Sequence, residues 1–244
     1  LASDHFSSLA KKYAAFRPQY PEALYSIILD GLKGNDQCWD CGTGNGIVAQ
    51  RLSNEFKRVW ASDISQNQLN QAPKLPNVYY QTAPESESLL PDSSCDLITV
   101  ATAYHWFNFD AFEKEAKRVG KPGSRIAVWT YGPSRILQDK TGVMEKVGFE
   151  LLGEYWPKER EWVHKLYKDI PFHFNKALRF ELEMQLQWSP PQIFGYISTW
   201  SAAKEFELKS NKKTEELLRP FYNEFDSDKK YTICWPLVLL MGEI

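Results

Sequence analysis

Residues 37 to 46 read Gln37-Cys38-Trp39-Asp40-Cys41-Gly42-Thr43-Gly44-Asn45-Gly46, and Ile47, Val48 and Leu52 follow at helical spacing. A short run ending on a carboxylate, three alternating glycines and a helix start predict a strand, a tight turn and a helix. Glycine is needed where backbone takes a positive φ or comes into contact with a ligand, because no Cβ intervenes. The turn is therefore expected to touch something. The dinucleotide pattern G-x-G-x-x-G would require glycine or alanine at position 47, where Ile47 stands. The bland alternative is a glycine-rich connection with no ligand.

Arg58-Val59-Trp60-Ala61-Ser62-Asp63 predicts a second strand ending on Asp63. That is the offset of about 20 residues at which α/β nucleotide sites set a carboxylate on ribose hydroxyls. An ionised carboxylate accepts hydrogen bonds and offers no competing donor, which suits a diol. Standing alone, Asp63 would read as a helix cap.

Further along, Val78 to Tyr80, Cys95 to Ala101 and Arg125 to Thr130 predict strands, and Phe112, Ala116 and Val119 mark a helix between the last two. Strands alternating with helices over 37–130 predict a parallel sheet covered on both faces. Its ligands bind beyond the carboxyl ends of the strands, where Asp40, Asp63, Thr82 and Ala101 fall. Before the first strand, Phe6, Leu9, Tyr13 and Phe16 are spaced as a helix that Arg17-Pro18 breaks, and Leu24, Ile27, Ile28 and Leu32 form another. After residue 131 the pattern changes. Residues 132–176 are mixed helix and loop, 180–188 alternate strictly as an edge strand, 193–206 and 214–225 look helical, and 231–240 is an apolar final strand.

The 244 residues, 43% hydrophobic and 25% charged with net charge −2, describe one globular α/β domain with an insertion. Adjacent lysines occur as the pairs Lys11-Lys12, Lys212-Lys213 and Lys229-Lys230, with no longer basic stripe of the kind that tracks phosphates, which counts against nucleic acid. Nine tryptophans fill core or line pockets. No apolar run reaches the 18 or so residues of a membrane span, and the start lacks a signal pattern, so a cytoplasmic chain without membrane contact is expected. Cys38 and Cys41 have CxxC spacing, but Cys95 and Cys234 make no second close pair. No metal site is expected.

Asp40 to Gly46, Asp63, Thr82-Ala83-Pro84-Glu85, Tyr104-His105-Trp106-Phe107 and Lys117 to Gly123 together resemble the type 11 class I S-adenosylmethionine-dependent methyltransferases. Arg17-Pro18, Tyr20-Pro21 and Thr199-Trp200-Ser201 are similar to the trans-aconitate methyltransferase branch. The resemblance implies a Rossmann-like α/β fold: a seven-stranded, mainly parallel sheet of order 3-2-1-4-5-7-6 with helices on both faces. It implies one domain over 1–244, with residues 1–34 covering the cofactor and 132–176 and 192–226 as a cap facing the substrate. The cofactor would be S-adenosylmethionine, leaving as S-adenosylhomocysteine. Gly42, Thr43, Gly44 and Gly46 would pass beneath its methionine part, with Asp40 steadying that loop or the ammonium. Asp63 and Ile64 would border the ribose, Ala83, Pro84 and Glu85 the adenine, and Ala101 to His105 the sulfonium side. Tyr13 and Arg17 would close over it. Tyr104, Trp106 and Trp200 would line the acceptor, Trp200 alternatively as ordinary packing, with His105 either as the acceptor's orienting group or base or as a packing histidine beside Trp106 and Phe107.

The activity expected is methyl transfer to a small molecule, a carboxylate being favoured, by a monomer or homodimer. Arg17 is a candidate anchor for such a carboxylate. Competing readings are a non-catalytic scaffold of the same fold, a methyltransferase acting on RNA or protein, and a nicotinamide-dependent oxidoreductase.

Overall fold

Strand β1 (Gln37–Cys41) is buried at all five positions. It pairs in parallel with β2 (Arg58–Asp63) on one side and β4 (Cys95–Ala101) on the other. With both edges paired and both faces covered, it is the centre of the sheet. In the computed structural model, which describes residues 17–139 and 142–244, β3 (Val78–Thr82) extends the sheet beyond β2, and β5 (Gly120–Tyr131) lies beyond β4. The last strand in the chain, β8 (Tyr231–Glu243), lies antiparallel to β5 along Arg125–Tyr131, and β7 (Asn175–Trp188) is antiparallel to β8 at the edge. Setting aside the two-residue β6 (Arg135–Ile136), which continues the β5 side of β8, the order is the expected 3-2-1-4-5-7-6.

The alternation along each strand sorts side chains onto two faces. Cys38, Leu97, Ala127 and Trp129 pack on one side, among α1 (Glu22–Leu29) and α2 (Ile47–Leu52). Trp39, Ile98, Ile126 and Val128 pack on the other, against Phe112, Ala116 and Val119. These last belong to a helix that starts where the Asn108 side chain accepts a hydrogen bond from Ala111 N at 3.1 Å. Between these helices lies the four-residue α3 (Gln66–Leu69), capped by Ser65, and the Phe112 helix is α4 (Phe109–Val119).

Beyond β5 the chain leaves the sheet for α5 (Arg160–His164), returns as β7, and makes three helices, α6 (Pro190–Ser198), α7 (Ser201–Ser210) and α8 (Thr214–Tyr222), before β8. An aromatic cluster joins these helices to the sheet. Trp235 on β8 lies 5.0 Å from Trp188 and 5.7 Å from Tyr196, and its Nε1 donates to the Tyr196 hydroxyl at 3.1 Å. Trp200 in turn meets Trp156 at 5.6 Å. Several of the expected segments have different bounds, and the single helix expected over 193–206 is two, α6 and α7, broken at Thr199-Trp200. β5 begins at Gly120, β7 begins at Asn175 and β8 ends at Glu243, because pairing with neighbours extends strands past their apolar stretches, and α8 stops at Tyr222. The expected helix over residues 6–16, with Tyr13, lies outside the described residues.

Two buried carboxylates tie the strands together. Asp96 on β4 accepts from the amides of Asp36 and Gln37 at 2.9 and 3.0 Å through Oδ2, and from Lys121 Nζ at 2.6 Å through Oδ1. Asp40, fully buried at the end of β1, accepts from the hydroxyls of Thr99 on β4 at 2.8 Å and Thr43 at 2.5 Å. Burial pushes its pKa up to about 6, against the opposing pull of those two hydroxyls. Asp96→Ala should cost about 2–4 kcal/mol, since it leaves two backbone donors and an ammonium unsatisfied; urea unfolding measures it. For Asp40 the folded pKa lies above the unfolded value near 3.8. Its contribution is therefore most favourable below pH 3.8 and is lost as pH rises through about 6. Asp40→Asn, which cannot ionise, should gain on the order of 3 kcal/mol over the wild type at pH 7.5. The gain should disappear by pH 4 in the same unfolding series.

Candidate active site

The carboxyl ends of β1, β2, β4 and β5 open into a cavity of about 850 Å³. Its floor is the glycine turn, with φ of +68° at Gly42, +58° at Gly44 and +80° at Gly46. The three glycines answer different needs. A Cβ on Gly42 would come within 2.6 Å of Ala103 Cβ, and one on Gly46 within 2.6 Å of the Tyr80 hydroxyl. A Cβ on Gly44 would meet nothing within 4 Å, so at this position φ, rather than packing, calls for glycine.

The amides of this turn are used within the protein. Thr43 N donates to Ser62 O at 3.0 Å, Gly44 N to Asp63 Oδ2 at 2.8 Å and Gly46 N to Thr43 O at 3.0 Å. Asp63 Oδ1 accepts from Ser65 N at 2.8 Å. Asp63 therefore bridges the ends of β1 and β2 and also lines the cavity. A turn built to hold phosphate would aim such amides at its ligand. The charge agrees: Asp63, Glu85 and Glu159 bring three carboxylates to the described lining, and Arg17 one guanidinium. A pyrophosphate would be repelled, whereas a ligand carrying positive charge and hydroxyl groups fits.

Of the residues expected in the site, Gly42, Thr43, Gly44, Asp63, Ile64, Ala83, Pro84, Glu85, Ala101, Arg17 and Trp106 line this cavity. Asp40 does not, because both of its oxygens face the core and hold Thr43 and Thr99. Gly46 is likewise set back against Tyr80. Glu85 Oε1 accepts from Asn108 N at 3.0 Å, which fixes the loop after β3 to the start of α4.

Three expected residues stand elsewhere. Tyr104 is fully buried, with its hydroxyl donating to Pro171 O at 2.7 Å. His105 is 4% exposed, its Nδ1 is 2.9 Å from the Tyr167 hydroxyl, and it does not line the cavity. Burial, and then the charge of Arg160, holds its pKa well below the ordinary value. In this position the His105 ring packs against Trp106, with ring centroids 5.0 Å apart. Trp200 lines a neighbouring cavity with Trp156. The run 104–107 turns once as a short helix, so only part of it faces the ligand side.

Several lining residues were missed by the sequence reading: Tyr20, Phe107, Tyr131, Pro157 and Glu159. The Tyr20 hydroxyl lies 2.9 Å from Thr102 Oγ1, and Arg17 donates to the Tyr131 hydroxyl at 2.7 Å and to Thr199 O at 3.3 Å. Thr102 holds φ at +51°, a costly conformation for a β-branched residue of the kind that collects at binding sites. Tyr131 was legible in principle, since it ends β5 as Ala101 ends β4. Pro157 and Glu159 carried no signal.

Residues 39–128 match the methyltransferase domain family model. The chain is 34% identical to a Dictyostelium discoideum protein described as a methyltransferase, over 98% of this chain and 95% of that one. A solved structure from Anaeromyxobacter dehalogenans, described as a type II methyltransferase, superposes with a TM-score of 0.83 at 32% identity, covering 93% of this chain and 98% of the other. The fold also matches that of phosphoethanolamine N-methyltransferase 2 of Haemonchus contortus in complex with S-adenosyl-L-methionine, with a TM-score of 0.51 at 17% identity, over 97% of this chain and 58% of that one. From a relative aligned over nearly the whole length, and a family match spanning the strands that build the cavity floor, the chain belongs to the class I methyltransferase family, in its type 11 group.

Proposed function

We propose that this chain transfers a methyl group from S-adenosylmethionine to the carboxylate of a small-molecule acceptor. The observation that carries the reading is the division of the cavity. Carboxylates of Asp63 and Glu85 stand with the glycine turn at one end, and Arg17, hydrogen-bonded to Tyr131, is the guanidinium of the lining. The first end suits a cofactor with ribose hydroxyls and positive charge. The second suits an anionic acceptor.

When bound, S-adenosylmethionine supplies an electrophilic methyl group on a sulfonium, and an ionised carboxylate can accept it with no proton to move. The protein's task is then alignment and exclusion of water. Asp63 accepts from the ribose hydroxyls, and Ala83 to Glu85 border the adenine. Ala101, Ala103, Trp106 and Phe107 wall the reacting region, while Arg17 and the Tyr131 hydroxyl turn the acceptor's oxygen toward the methyl. A resident base is unnecessary for such an acceptor, in keeping with the buried, neutral His105. Segment 132–176 reaches the acceptor end through Pro157 and Glu159, and 192–226 supports it from behind through the Thr199 carbonyl on Arg17.

Calorimetric titration with S-adenosylmethionine, S-adenosylhomocysteine and NADH tests the cofactor. Micromolar binding of the first two, weakened about tenfold or more in Asp63→Ala, is the expected result; binding of NADH alone would overturn the reading. Arg17→Ala should raise the acceptor KM at least tenfold while leaving the affinity for S-adenosylhomocysteine within about twofold, from the loss of a charge-assisted contact worth about 1.5–3 kcal/mol. His105→Gln should keep kcat within a few-fold at saturating cofactor, where loss of a general base would cost about 100-fold or more.

A further inference from the structure

A second cavity, of about 310 Å³, adjoins the first. The two are lined by neighbouring residues at three places. Tyr131 lines one and Gly132 the other at the end of β5, Pro157 and Glu159 alternate with Trp156 and Arg160 in the same segment, and Arg17 of the first sits with Cζ 5.6 Å from the ring of Tyr196 in the second. Arg17 and Tyr131 therefore stand at the partition.

The walls of the second cavity are flat and aromatic. Trp156, Trp200 and Tyr196 form a connected set, with ring centroids 5.6 and 5.7 Å apart, and the Arg160 guanidinium lies 5.0 Å over Trp156. Planar π surfaces backed by a guanidinium favour a flat ring or conjugated body. The charges that line it balance. Arg135 and Arg160 face Asp139 and Glu145, and Arg135 also pairs with Glu183 at 2.8 Å. A neutral body fits such a lining better than a second carboxylate would. Two buried donors on the same walls, Ser134 Oγ and Trp200 Nε1, have no hydrogen-bond partner among the described residues, and buried polar groups of this kind are normally satisfied.

We propose that this second cavity is the distal half of the acceptor site, and that the acceptor is an organic acid with a flat, uncharged, ring-sized or conjugated body. Its carboxylate lies at Arg17 and Tyr131, and its body passes between Tyr196 and Trp156 toward Trp200. This rests on the methyltransferase reading above. It goes beyond that reading by excluding compact polyacids as the preferred acceptor, because their further carboxylates would have to enter an aromatic cavity that offers no net positive charge.

The test is calorimetric titration of the protein saturated with S-adenosylhomocysteine, using trans-cinnamate, propionate and citrate as probes. Trans-cinnamate should bind at least tenfold tighter than either of the others. Ser134→Leu, which fills the second cavity, should weaken trans-cinnamate at least tenfold and leave S-adenosylhomocysteine and propionate unchanged. Phe149→Ala, at a half-exposed cavity residue whose loss does not threaten the core, should weaken trans-cinnamate several-fold. Equal binding of trans-cinnamate and propionate, tighter binding of citrate, or indifference of trans-cinnamate to both variants overturns the inference alone. Failure of S-adenosylhomocysteine to bind the wild type overturns the inference together with the reading beneath it.

Discussion

The buried carboxylate of Asp40 is the point on which the site depends. It stands at the end of the central strand, where no water reaches it, and is held by one hydroxyl from β4 and one from the glycine turn. An unpartnered charge there would be prohibitive, so the two threonines and the carboxylate specify one another. Because Thr43 is bound to Asp40 through its side chain and to Ser62 through its amide, the turn between β1 and α2 has a single place to go. The cavity floor follows from that placement.

Asp63 does for the outer half of the turn what Asp40 does for the inner half. Its two oxygens take the amides of Gly44 and Ser65, locking the loops after β1 and β2 to each other. The same carboxylate lines the cavity, so one residue both orders the loop and faces the ligand. The order needed to bind is thus present before any ligand arrives, which lowers the entropic cost of binding.

The far side of the cavity depends on different physics. Here the chain relies on aromatic packing: Trp235, Trp188, Tyr196, Trp200 and Trp156 carry contact from β8 through α6 to the loop before α5. Arg17 reaches into this assembly through Thr199 O and the Tyr196 ring. The end proposed for the acceptor is therefore built from elements distant in sequence and joined by large apolar surfaces, while the glycine-turn end is built from hydrogen bonds among adjacent strands.

This difference accounts for what could be read from the residues in order. The doubly covered parallel sheet and the glycine-turn end of the cavity were legible, because each strand and the loop after it are contiguous and the spacing of Asp40, the glycines and Asp63 is local, while the strand order came from the family resemblance. The run Tyr104-His105-Trp106-Phe107 shows the limit. Its residue types announced a site, but one turn of helix directs Tyr104 and His105 into the core and leaves Trp106 and Phe107 on the cavity. Pro157 and Glu159 gave no such signal, and Trp200 belongs to the second cavity. The amino-acid sequence by itself determined the sheet and the loops that follow its strands. Only the tertiary structure decided the acceptor side, since which face of a turn meets a cavity and which distant aromatics meet each other depend on packing across the chain, and no local spacing encodes that.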